Sequence, residues 1–390
     1  MMATRLSDRT GCWTADPGFG VYVHIPFCRH RCHYCDFNTY EGQESLHLAY
    51  VDALVADIEN RDPGGRSATS IFFGGGTPTL LPATEAGSIL RAVAHNIGVD
   101  AGAEVTIEAN PETVDEAKFV ALLEAGFNRV SIGVQSLAPE VLARLGRTHS
   151  PERALEAVDA ARRAGFEEVN ADLIYGSPWE STSDWMRSLD GVVAAGPEHI
   201  SAYALTVEDG TPMHTLVASG RAPDVDPDIQ AERHELASEV LAAAGYERYE
   251  VSNWAKPGHA SRHNVLYWSA GDYLGLGAGA HGHDNGRRYW NERLPRDFVT
   301  RVSSRSSTEC GSELLDAGTR SGEAMMLGLR LASGVRLDEF TLRYGREWLD
   351  DHAAVVAELE AAGLLEHSEG WLRLSAGSTL IANDVLCRLL

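Results

Sequence analysis

The chain repeats one local pattern, in which an apolar β-rich run is followed by an amphipathic stretch that ends at an Ala-Gly-aromatic step. This step stands at residues 125–127, 164–166 and 244–246. Glycine is favoured just past a helix end because that position often takes a positive φ. Strands that alternate with helices pair in parallel, since each helix carries the chain back along the sheet. The pattern therefore predicts an α/β fold built on a mainly parallel sheet.

Six βα units cover residues 21–250, the predicted core domain. Six units fit a partial (β/α)6 barrel of the TIM type, whereas eight would close the barrel. Residues 1–20 are predicted to form an N-terminal tail. The predicted strands are 21–25, 70–73, 104–109, 129–135, 168–176 and 199–205, and the predicted helices include 44–60, 83–96, 113–124, 151–164 and 228–243.

The last third of the chain has a different pattern. Residues 251–311 are rich in glycine and aromatic side chains with little periodicity, so they are predicted to be loops and a short strand that cover the barrel mouth. Residues 312–390 begin a second unit. Within it, residues 349–378 indicate a helix, a glycine stop and two short strands joined by Glu369-Gly370. This order predicts a small C-terminal α+β domain that resembles a winged helix.

Charge and hydropathy exclude two classes of protein. The formal net charge of −23 argues against a nucleic-acid partner, because phosphate requires a basic surface. No run approaches the ~20 apolar residues of a membrane span, and the N-terminus lacks an apolar signal region. A cytoplasmic location is therefore expected, in which the six cysteines stay reduced.

Three of these cysteines, Cys28, Cys32 and Cys35, lie in the spacing C-x3-C-x2-C directly after the first predicted strand. Three thiolates on one loop can bind three irons of a [4Fe–4S] cluster and leave the fourth iron open. The amino and carboxylate groups of S-adenosylmethionine (SAM) could occupy that open iron. This interpretation is favoured over structural zinc.

Zinc is the alternative because one histidine could complete a four-ligand site with the three cysteines. The candidate histidines are His24, His30 and His33. Structural zinc sites, however, usually join two separate C-x2-C units, and this sequence has no second unit.

Polar residues follow or interrupt several of the other predicted strands. The sequence FGGGTPT (73–79) follows the second strand, where glycines can bring the backbone and its N–H groups close to a ligand. Glu108, Gln135 and Asp172 lie near the carboxyl ends of strands three to five, where barrels of this kind bind ligands. The alternatives are a tight turn for the glycines and a buried salt bridge for the two carboxylates.

Taken together, YVHIPFC, YCDFN, FGGGTPT, DLIYG and HNVLYW resemble the radical SAM superfamily and, within it, the family of oxygen-independent coproporphyrinogen oxidases and their relatives. The resemblance runs from about residue 21 to the C-terminus. It implies that Cys28, Cys32 and Cys35 hold the cluster. It implies SAM contacts from Tyr22, Tyr34, Gly75, Gly76, Thr77, Glu108, Gln135, Arg147, Asp172 and Ala204. Arg147 could instead be a solvated charge at a helix end.

HNVLYW (263–268) matches the H-N-x-x-Y-W motif of the heme chaperones in this family. The resemblance implies that His263 ligates heme, while His281 and His283 are alternative ligands. The plainer interpretation is a hydrogen-bonded histidine with Tyr267 and Trp268 packed in the core.

Position 37 separates the two branches of the family. The oxidase branch is similar to this chain but has the pattern C-x3-C-x2-C-x-C, whereas this chain has Phe37 in place of the last cysteine. The prediction is a heme chaperone that carries a SAM-ligated cluster and passes heme to an acceptor protein, which could be membrane-associated, with an electron donor for the cluster. The alternatives are coproporphyrinogen III dehydrogenase and a related radical SAM methyltransferase. The sequence leaves enzymatic activity and homodimer formation open.

Overall fold

The computed structural model describes residues 11–389, and its core is a partial barrel of six parallel strands with helices on the outside. Neighbouring strands β1 to β6 pair in sequence order, so each helix crosses to the next strand. The predicted α/β barrel is confirmed. Its elements are β1 (Phe19–Ile25), α1 (His47–Ile58), β2 (Ala68–Gly75), α2 (Ala83–Asn96), β3 (Val99–Ala109), α3 (Glu116–Ala125), β4 (Arg129–Gln135), α4 (Pro139–Leu145), α5 (Pro151–Ala164), β5 (Glu168–Tyr175), α6 (Thr182–Ala195) and β6 (His199–Ala204).

The helix ends form as local sequence chemistry dictates. Gly126 and Gly165 cap α3 and α5 with φ of 108° and 109°, a region that costs an L-residue steric strain. At the other ends, Asp115 and Ser150 accept backbone N–H groups of the first turn. α5 has the predicted bounds 151–164, whereas α3 begins at Glu116, three residues after the predicted start, because Asp115 caps it there.

Residues 251–311 extend the barrel sheet instead of covering it only with loops, which corrects the sequence-based expectation. β9 pairs in parallel with β1, and β10 to β12 add antiparallel strands beyond it, while β8 and β7 extend the sheet past β6. These strands are short and interrupted by glycines, so they carry little periodicity. The elements are α7 (Pro212–Ala218), α8 (Pro227–Ala243), β7 (Glu247–Arg248), β8 (Asn253–Ala255), α9 (Arg262–Trp268), β9 (Asp272–Leu276), β10 (His281–Asp284), β11 (Arg287–Asn291), α10 (Pro295–Ser303) and β12 (Glu309–Leu314).

The C-terminal residues form helices around a three-stranded antiparallel sheet in the order β13-β15-β14. Glu369 and Gly370 make the turn between β14 and β15 with positive φ, as the sequence predicts. A separate apolar core lies beneath this sheet. The elements are α11 (Ala317–Gly328), β13 (Val335–Arg336), α12 (Leu337–Tyr344), α13 (Glu347–Ala361), β14 (Leu365–Ser368), β15 (Trp371–Leu374) and α14 (Ala382–Leu386).

The residues just before β1 are packed against the C-terminal unit. Trp13 is buried in the C-terminal core, where its ring contacts Phe340 at a centroid distance of 6.4 Å. Its backbone N–H donates to Ser333 Oγ at 3.2 Å. From residue 11 onward, the predicted tail is therefore packed against the C-terminal unit. Residues 1–10 lie outside the described part of the chain. The division into domains at residues 250 and 311 stays a prediction.

The helices that the structure describes are modest in length. The longest, α8, has 17 residues and starts at an Asp226 cap. None of the helices in residues 11–389 combines the length and the apolar character needed to cross a bilayer.

Candidate functional site

The cysteine loop between β1 and α1 is hydrogen-bonded within itself and to two other parts of the fold. The Cys28 N–H donates to Tyr40 O at 3.0 Å, which closes the loop on itself. The His33 N–H donates to Leu145 O at 3.1 Å, and His33 O accepts the Met213 N–H at 2.9 Å. The loop is thus held against the ends of α4 and α7 at the carboxyl edge of the barrel.

Two of the three thiols accept a hydrogen bond from a side chain outside the cysteine loop, one that follows β2 and one that follows α4. Thr77 Oγ1 donates to Cys28 Sγ at 3.7 Å, and Arg147 Nη1 donates to Cys32 Sγ at 3.4 Å. Arg147 Nη2 also donates to Gly133 O at 3.0 Å. Arg147 is therefore a cation placed on the cysteine loop, and its alternative interpretation as a solvated helix-end charge is wrong.

The protein alone does not favour thiolates at this loop. Burial raises the pKa of Cys28 to about 11 and the pKa of Cys35 above its usual value. Coordination to a metal deprotonates a thiol outright. The three thiols are therefore expected to ionise when they bind a metal, because the positive charge of the metal offsets that of the thiolates.

The zinc alternative requires one histidine to join the three cysteines around a single ion. Among residues 11–389, no three His, Cys, Asp or Glu side chains converge closely enough to hold a single ion. In a [4Fe–4S] cluster each thiolate binds its own iron, so the sulfur atoms stand further apart. His24 is also used elsewhere, because its ring nitrogens bind Tyr22 Oη and Asn38 O, each at 3.0 Å.

The three cysteines open onto a cavity of about 500 Å³ inside the carboxyl end of the barrel. This cavity is lined by twelve of the thirteen residues that the resemblance assigns to cluster and SAM. They are Cys28, Cys32, Cys35, Tyr34, Gly75, Gly76, Thr77, Glu108, Gln135, Arg147, Asp172 and Ala204. Their assignment to the cofactors remains a prediction, but the fold brings them together.

Glu108 and Asp172 face this cavity as a pair of carboxyls, and among residues 11–389 neither forms an ion pair with Lys, Arg or His. Burial, and then the charge of Asp172, raises the pKa of Glu108 to about 8. Burial also raises the pKa of Asp172, although Ser131 and Asn170 bind its oxygens at 2.8 and 2.7 Å. The charge of Arg147 acts on Asp172 without forming an ion pair with it. Two carboxyls without an ion-pair partner favour a positively charged ligand, which suits the sulfonium and amino groups of SAM.

A buried salt bridge does form inside the barrel, but its carboxylates are Glu104 and Glu168 on the same strands, not Glu108 and Asp172. Arg129 Nη1 lies 3.1 Å from Glu168 Oε2 and 3.7 Å from Glu104 Oε2, all three side chains being buried at the opposite end of the barrel. Among the described residues, the barrel interior thus has ion-paired side chains near the amino ends of the strands. Near the carboxyl ends, beside the cysteines, it has the two carboxyls of Glu108 and Asp172 without an ion-pair partner.

The glycine loop after β2 serves packing, and its N–H groups are already used. The N–H of Gly75 donates to Glu108 Oε2 at 3.1 Å. The N–H of Gly76 donates to Ile25 O at 2.9 Å, and that of Thr77 to Phe27 O at 2.7 Å. These three N–H groups are therefore already engaged within the protein, contrary to the expectation that they are placed to bind a ligand. A Cβ on Gly76 would lie 2.5 Å from Phe27 O, so glycine lets this loop pass beneath the cysteine loop.

Replacing Gly76 by alanine is therefore expected to displace Phe27 and the adjoining Cys28. We expect the iron content after anaerobic reconstitution to fall at least several-fold and the free energy of unfolding to fall by about 1 to 3 kcal/mol, in line with overpacking. Gly377→Ala is the control, because no atom lies within 4 Å of its added Cβ. Iron content equal to that of the unmodified protein would contradict the packing role of Gly76.

The sequence analysis missed a polar network between the strands. Asn170 Nδ2 donates to Ser131 Oγ at 2.7 Å and Ser201 Oγ at 3.0 Å, and Asn170 Oδ1 lies 2.6 Å from His199 Nδ1. All four residues line the cavity. The available signal was polar residues at every second position of β4 to β6, because alternate side chains face the barrel interior. Gln135 is set apart by a φ of 66°, a strained value typical of functional sites.

Two of the predicted cofactor residues lie outside this cavity. Tyr22 lines a neighbouring cavity, where its hydroxyl lies 3.0 Å from His24 Nδ1. His263, on α9, is 1% exposed, and its Nδ1 lies 2.9 Å from Ser70 Oγ. Burial lowers the pKa of His263 to about 4. HNVLYW thus lies on α9, where His263 is buried and hydrogen-bonded as its plainer interpretation describes, whereas Tyr267 lines the neighbouring cavity and is not packed in the core. Heme ligation by His263 stays a prediction.

The second cavity measures about 630 Å³ and lies beside the first, between β1, β9 and β11. The two cavities share Asp36, Phe37, Gly75 and Glu108 in their walls. Phe37, the residue that replaces the fourth cysteine of the oxidases, is 60% exposed at this junction. Its ring therefore adjoins both spaces.

Comparison with known proteins agrees with the fold and the cysteine loop. Residues 22–190 match the radical SAM superfamily, and residues 315–376 match the HemN C-terminal domain. The E. coli coproporphyrinogen III oxidase HemN has the same fold, with a TM-score of 0.82 over 98% of this chain and 91% of that chain at 22% identity. The fold and the site define a radical SAM protein, a class that implies a [4Fe–4S] cluster and SAM as cofactors.

Relatives that match nearly the whole chain include heme chaperones named HemW. The chain is 40% identical to the heme chaperone HemW of Mycobacterium tuberculosis over 95% of both proteins. It is 33% identical to the Bacillus subtilis heme chaperone HemW over 94% of this chain and 97% of that one. The chain belongs to the HemW family.

Proposed function

We propose that this protein is a heme chaperone: it binds heme and passes it to an acceptor protein, under the control of a SAM-ligated [4Fe–4S] cluster. The observation that carries this function is the 40% identity to a heme chaperone HemW over 95% of the chain. Phe37, at the junction of the two cavities, also supports this function, because the sequence pattern of the oxidases has a cysteine at this position.

The residues that would hold the cofactors are those of the first cavity. Cys28, Cys32 and Cys35 would bind the cluster, while Glu108 and Asp172 would face the cationic part of SAM. A reduced cluster supplies the electron for reductive cleavage of SAM. Arg147 holds Cys32 Sγ from the side of β4 and positions the loop independently of any ligand.

The shared wall offers a route by which one site influences the other. Gly75 and Glu108 line both cavities, and the Gly75 N–H donates to Glu108 Oε2 at 3.1 Å. Because Glu108 is buried and lacks an ion-pair partner among the described residues, a cation in the first cavity changes its charge and its hydrogen bonding. Occupancy of the first cavity would thereby alter the wall of the second, which is how the cofactors would gate heme transfer.

The heme-transfer function is tested with apomyoglobin as a heme-accepting probe. The heme-loaded protein, with its cluster reduced by dithionite, is mixed with apomyoglobin in the presence and absence of SAM. We expect the rate of heme transfer to change several-fold on addition of SAM. A protein that binds no heme in this assay would contradict the chaperone function.

The alternative, coproporphyrinogen III dehydrogenase, is favoured by the fold shared with HemN. We expect no protoporphyrinogen IX when the reconstituted protein is incubated anaerobically with coproporphyrinogen III, SAM and dithionite, because Phe37 replaces the extra cysteine. Product is measured by fluorescence after oxidation, with an active oxidase as the positive control. Clear turnover would restore the enzymatic interpretation.

The remaining partners also belong to the proposal. The acceptor would be a heme protein, which could be membrane-associated, and an electron donor would reduce the cluster. A cytoplasmic location and a homodimer are compatible with this function.

A further inference from the structure

The wall of the second cavity contains a histidine whose ring nitrogens are not engaged. His281 is the first residue of β10, is exposed, and faces the cavity beside Trp290, with ring centroids 6.2 Å apart. Within residues 11–389, neither of its ring nitrogens has a hydrogen-bond or ion-pair partner. An imidazole in this state can bind a ligand without first breaking an internal contact.

The other histidines of this region are engaged or enclosed. Both ring nitrogens of His24 are used, and His283 Nδ1 lies 3.3 Å from Asp272 Oδ1. The His263 ring lies between Phe72 and Tyr267, at centroid distances of 5.3 and 4.6 Å. His263 Nε2 also has no partner among the described residues, but a large ligand reaches it only if an aromatic ring moves.

We propose that the second cavity is the heme site of this protein and that His281 Nε2 or Nδ1 is the axial ligand to the heme iron; this rests on the proposed chaperone function. A single histidine is a common protein ligand to heme iron. The cavity volume of about 630 Å³ lies within the range of about 300 to 1,000 Å³ for ligand sites.

Aromatic walls suit a flat macrocycle. Tyr267 and Tyr273 line the cavity with ring centroids 4.6 Å apart, and Trp290 is 37% exposed at its edge. Phe37 closes the side toward the first cavity. Exposed aromatic rings of this kind gain apolar contact when a porphyrin plane covers them.

One cation is placed for the heme propionates. Arg293 is exposed and lines the cavity, and its Nε donates to Asn38 Oδ1 at 3.1 Å. This bond fixes the direction of the guanidinium, whose planar group can bind a carboxylate through two parallel hydrogen bonds. Arg293 and His281 thus give the macrocycle an orientation, with propionates toward the solvent edge.

This geometry suits a cargo that must leave. One imidazole ligand in an open cavity leaves the opposite face of the iron free for a ligand of the acceptor. In the transfer step the acceptor's ligand forms a bond to the iron and the bond to the imidazole of His281 breaks, with no change in the iron oxidation state. The released imidazole returns to its solvent-exposed position.

The test compares His281→Gly with the matched variant His283→Gly, two residues along the same strand. Full-length protein is titrated with ferric heme, and difference spectra against the heme-free protein remove the absorption of the cluster. We expect His281→Gly to shift the Soret band and weaken heme binding at least tenfold, and free imidazole to restore the spectrum. His283→Gly should behave as the unmodified protein does, with circular dichroism and iron content checking the fold of both variants.

The outcomes separate this proposal from the function on which it rests. If the unmodified protein binds no heme, both fail. If it binds heme and His281→Gly keeps the same Soret band and affinity, the chaperone function stands and the assignment of His281 is overturned. Loss of the Soret band in His263→Ala with an unchanged His281→Gly spectrum would also overturn it.

Discussion

Replacing Cys28, Cys32 and Cys35 together by alanine is expected to abolish cluster assembly and SAM-dependent heme transfer while heme binding persists. The three thiols line the first cavity, and none of them lines the second. Iron and sulfide content after anaerobic reconstitution should therefore fall to background. Heme affinity should change less than about threefold, because no proposed heme contact is removed.

The matched control for this variant replaces Cys310 and Cys387 by alanine. Both side chains are exposed and lie outside the two cavities. Iron content and the effect of SAM on heme transfer to apomyoglobin should equal those of the unmodified protein. If the triple variant still transfers heme with the same SAM dependence, the proposed control by the cluster is wrong.

Glu108→Gln is expected to stabilise the ligand-free protein above pH 5 and to weaken SAM binding at least tenfold. The pKa of Glu108 is raised to about 8 in the folded protein, by burial and then by Asp172, whereas an unfolded glutamate titrates near its ordinary value of 4.5. Between these values the folded state holds a proton that the unfolded state has released. Stability is therefore lost as pH rises from about 4.5 to 8.

The amide removes this loss because it does not ionise. One pKa unit corresponds to about 1.4 kcal/mol, so the shift sets an upper limit of about 5 kcal/mol. The carboxyl faces a cavity, where water moderates the penalty, and we expect a gain of about 1 to 3 kcal/mol at pH 8. Thermal unfolding between pH 4 and pH 9 measures it, and anaerobic calorimetry on the cluster-loaded protein measures SAM affinity.

Glu104→Gln, four residues earlier on β3, is the control with the opposite sign. Burial alone would raise the pKa of Glu104, but Arg129 and the N–H groups of Arg262 and His263 lower it below its usual value. Its contribution is present above about pH 4.5 and is lost as pH falls through the folded-state pKa. Removing this charge should cost about 2 kcal/mol or more, because Arg129 loses a buried partner. If Glu108→Gln destabilises the protein as Glu104→Gln does, Glu108 is a structural carboxylate.

Much of the fold follows from local chemistry that the sequence displays. The helices 83–96 and 151–164 and the strand 129–135 were predicted at their observed bounds, because periodicity and glycine stops act over a few residues. For residues 251–311 the sequence predicts loops and one short strand, whereas the structure has several strands there. These strands are short and are stabilised by pairing with strands that are distant in sequence. For example, β9 pairs with β1, where Leu274 lies opposite Val21.

The residues of the candidate site also include some that local sequence patterns predict and others that they do not. The cysteine spacing and the glycine loop after β2 are local patterns, so they could be recognised directly. By contrast, the polar network of Asn170, Ser131 and His199 spans three strands, and nothing adjacent in sequence marks it.

The barrel, the cysteine loop and the family can be predicted from the chain alone, because they depend on the spacing of residues along it. The roles of equivalent side chains depend instead on tertiary contacts. Glu104 and Glu108 lie on the same face of one strand, but Arg129 from β4 reaches only the first. Likewise, packing encloses His263 and exposes His281 to a cavity. Pairing and burial depend on residues brought from distant parts of the chain, and these decide which charges and ring nitrogens remain available to a ligand.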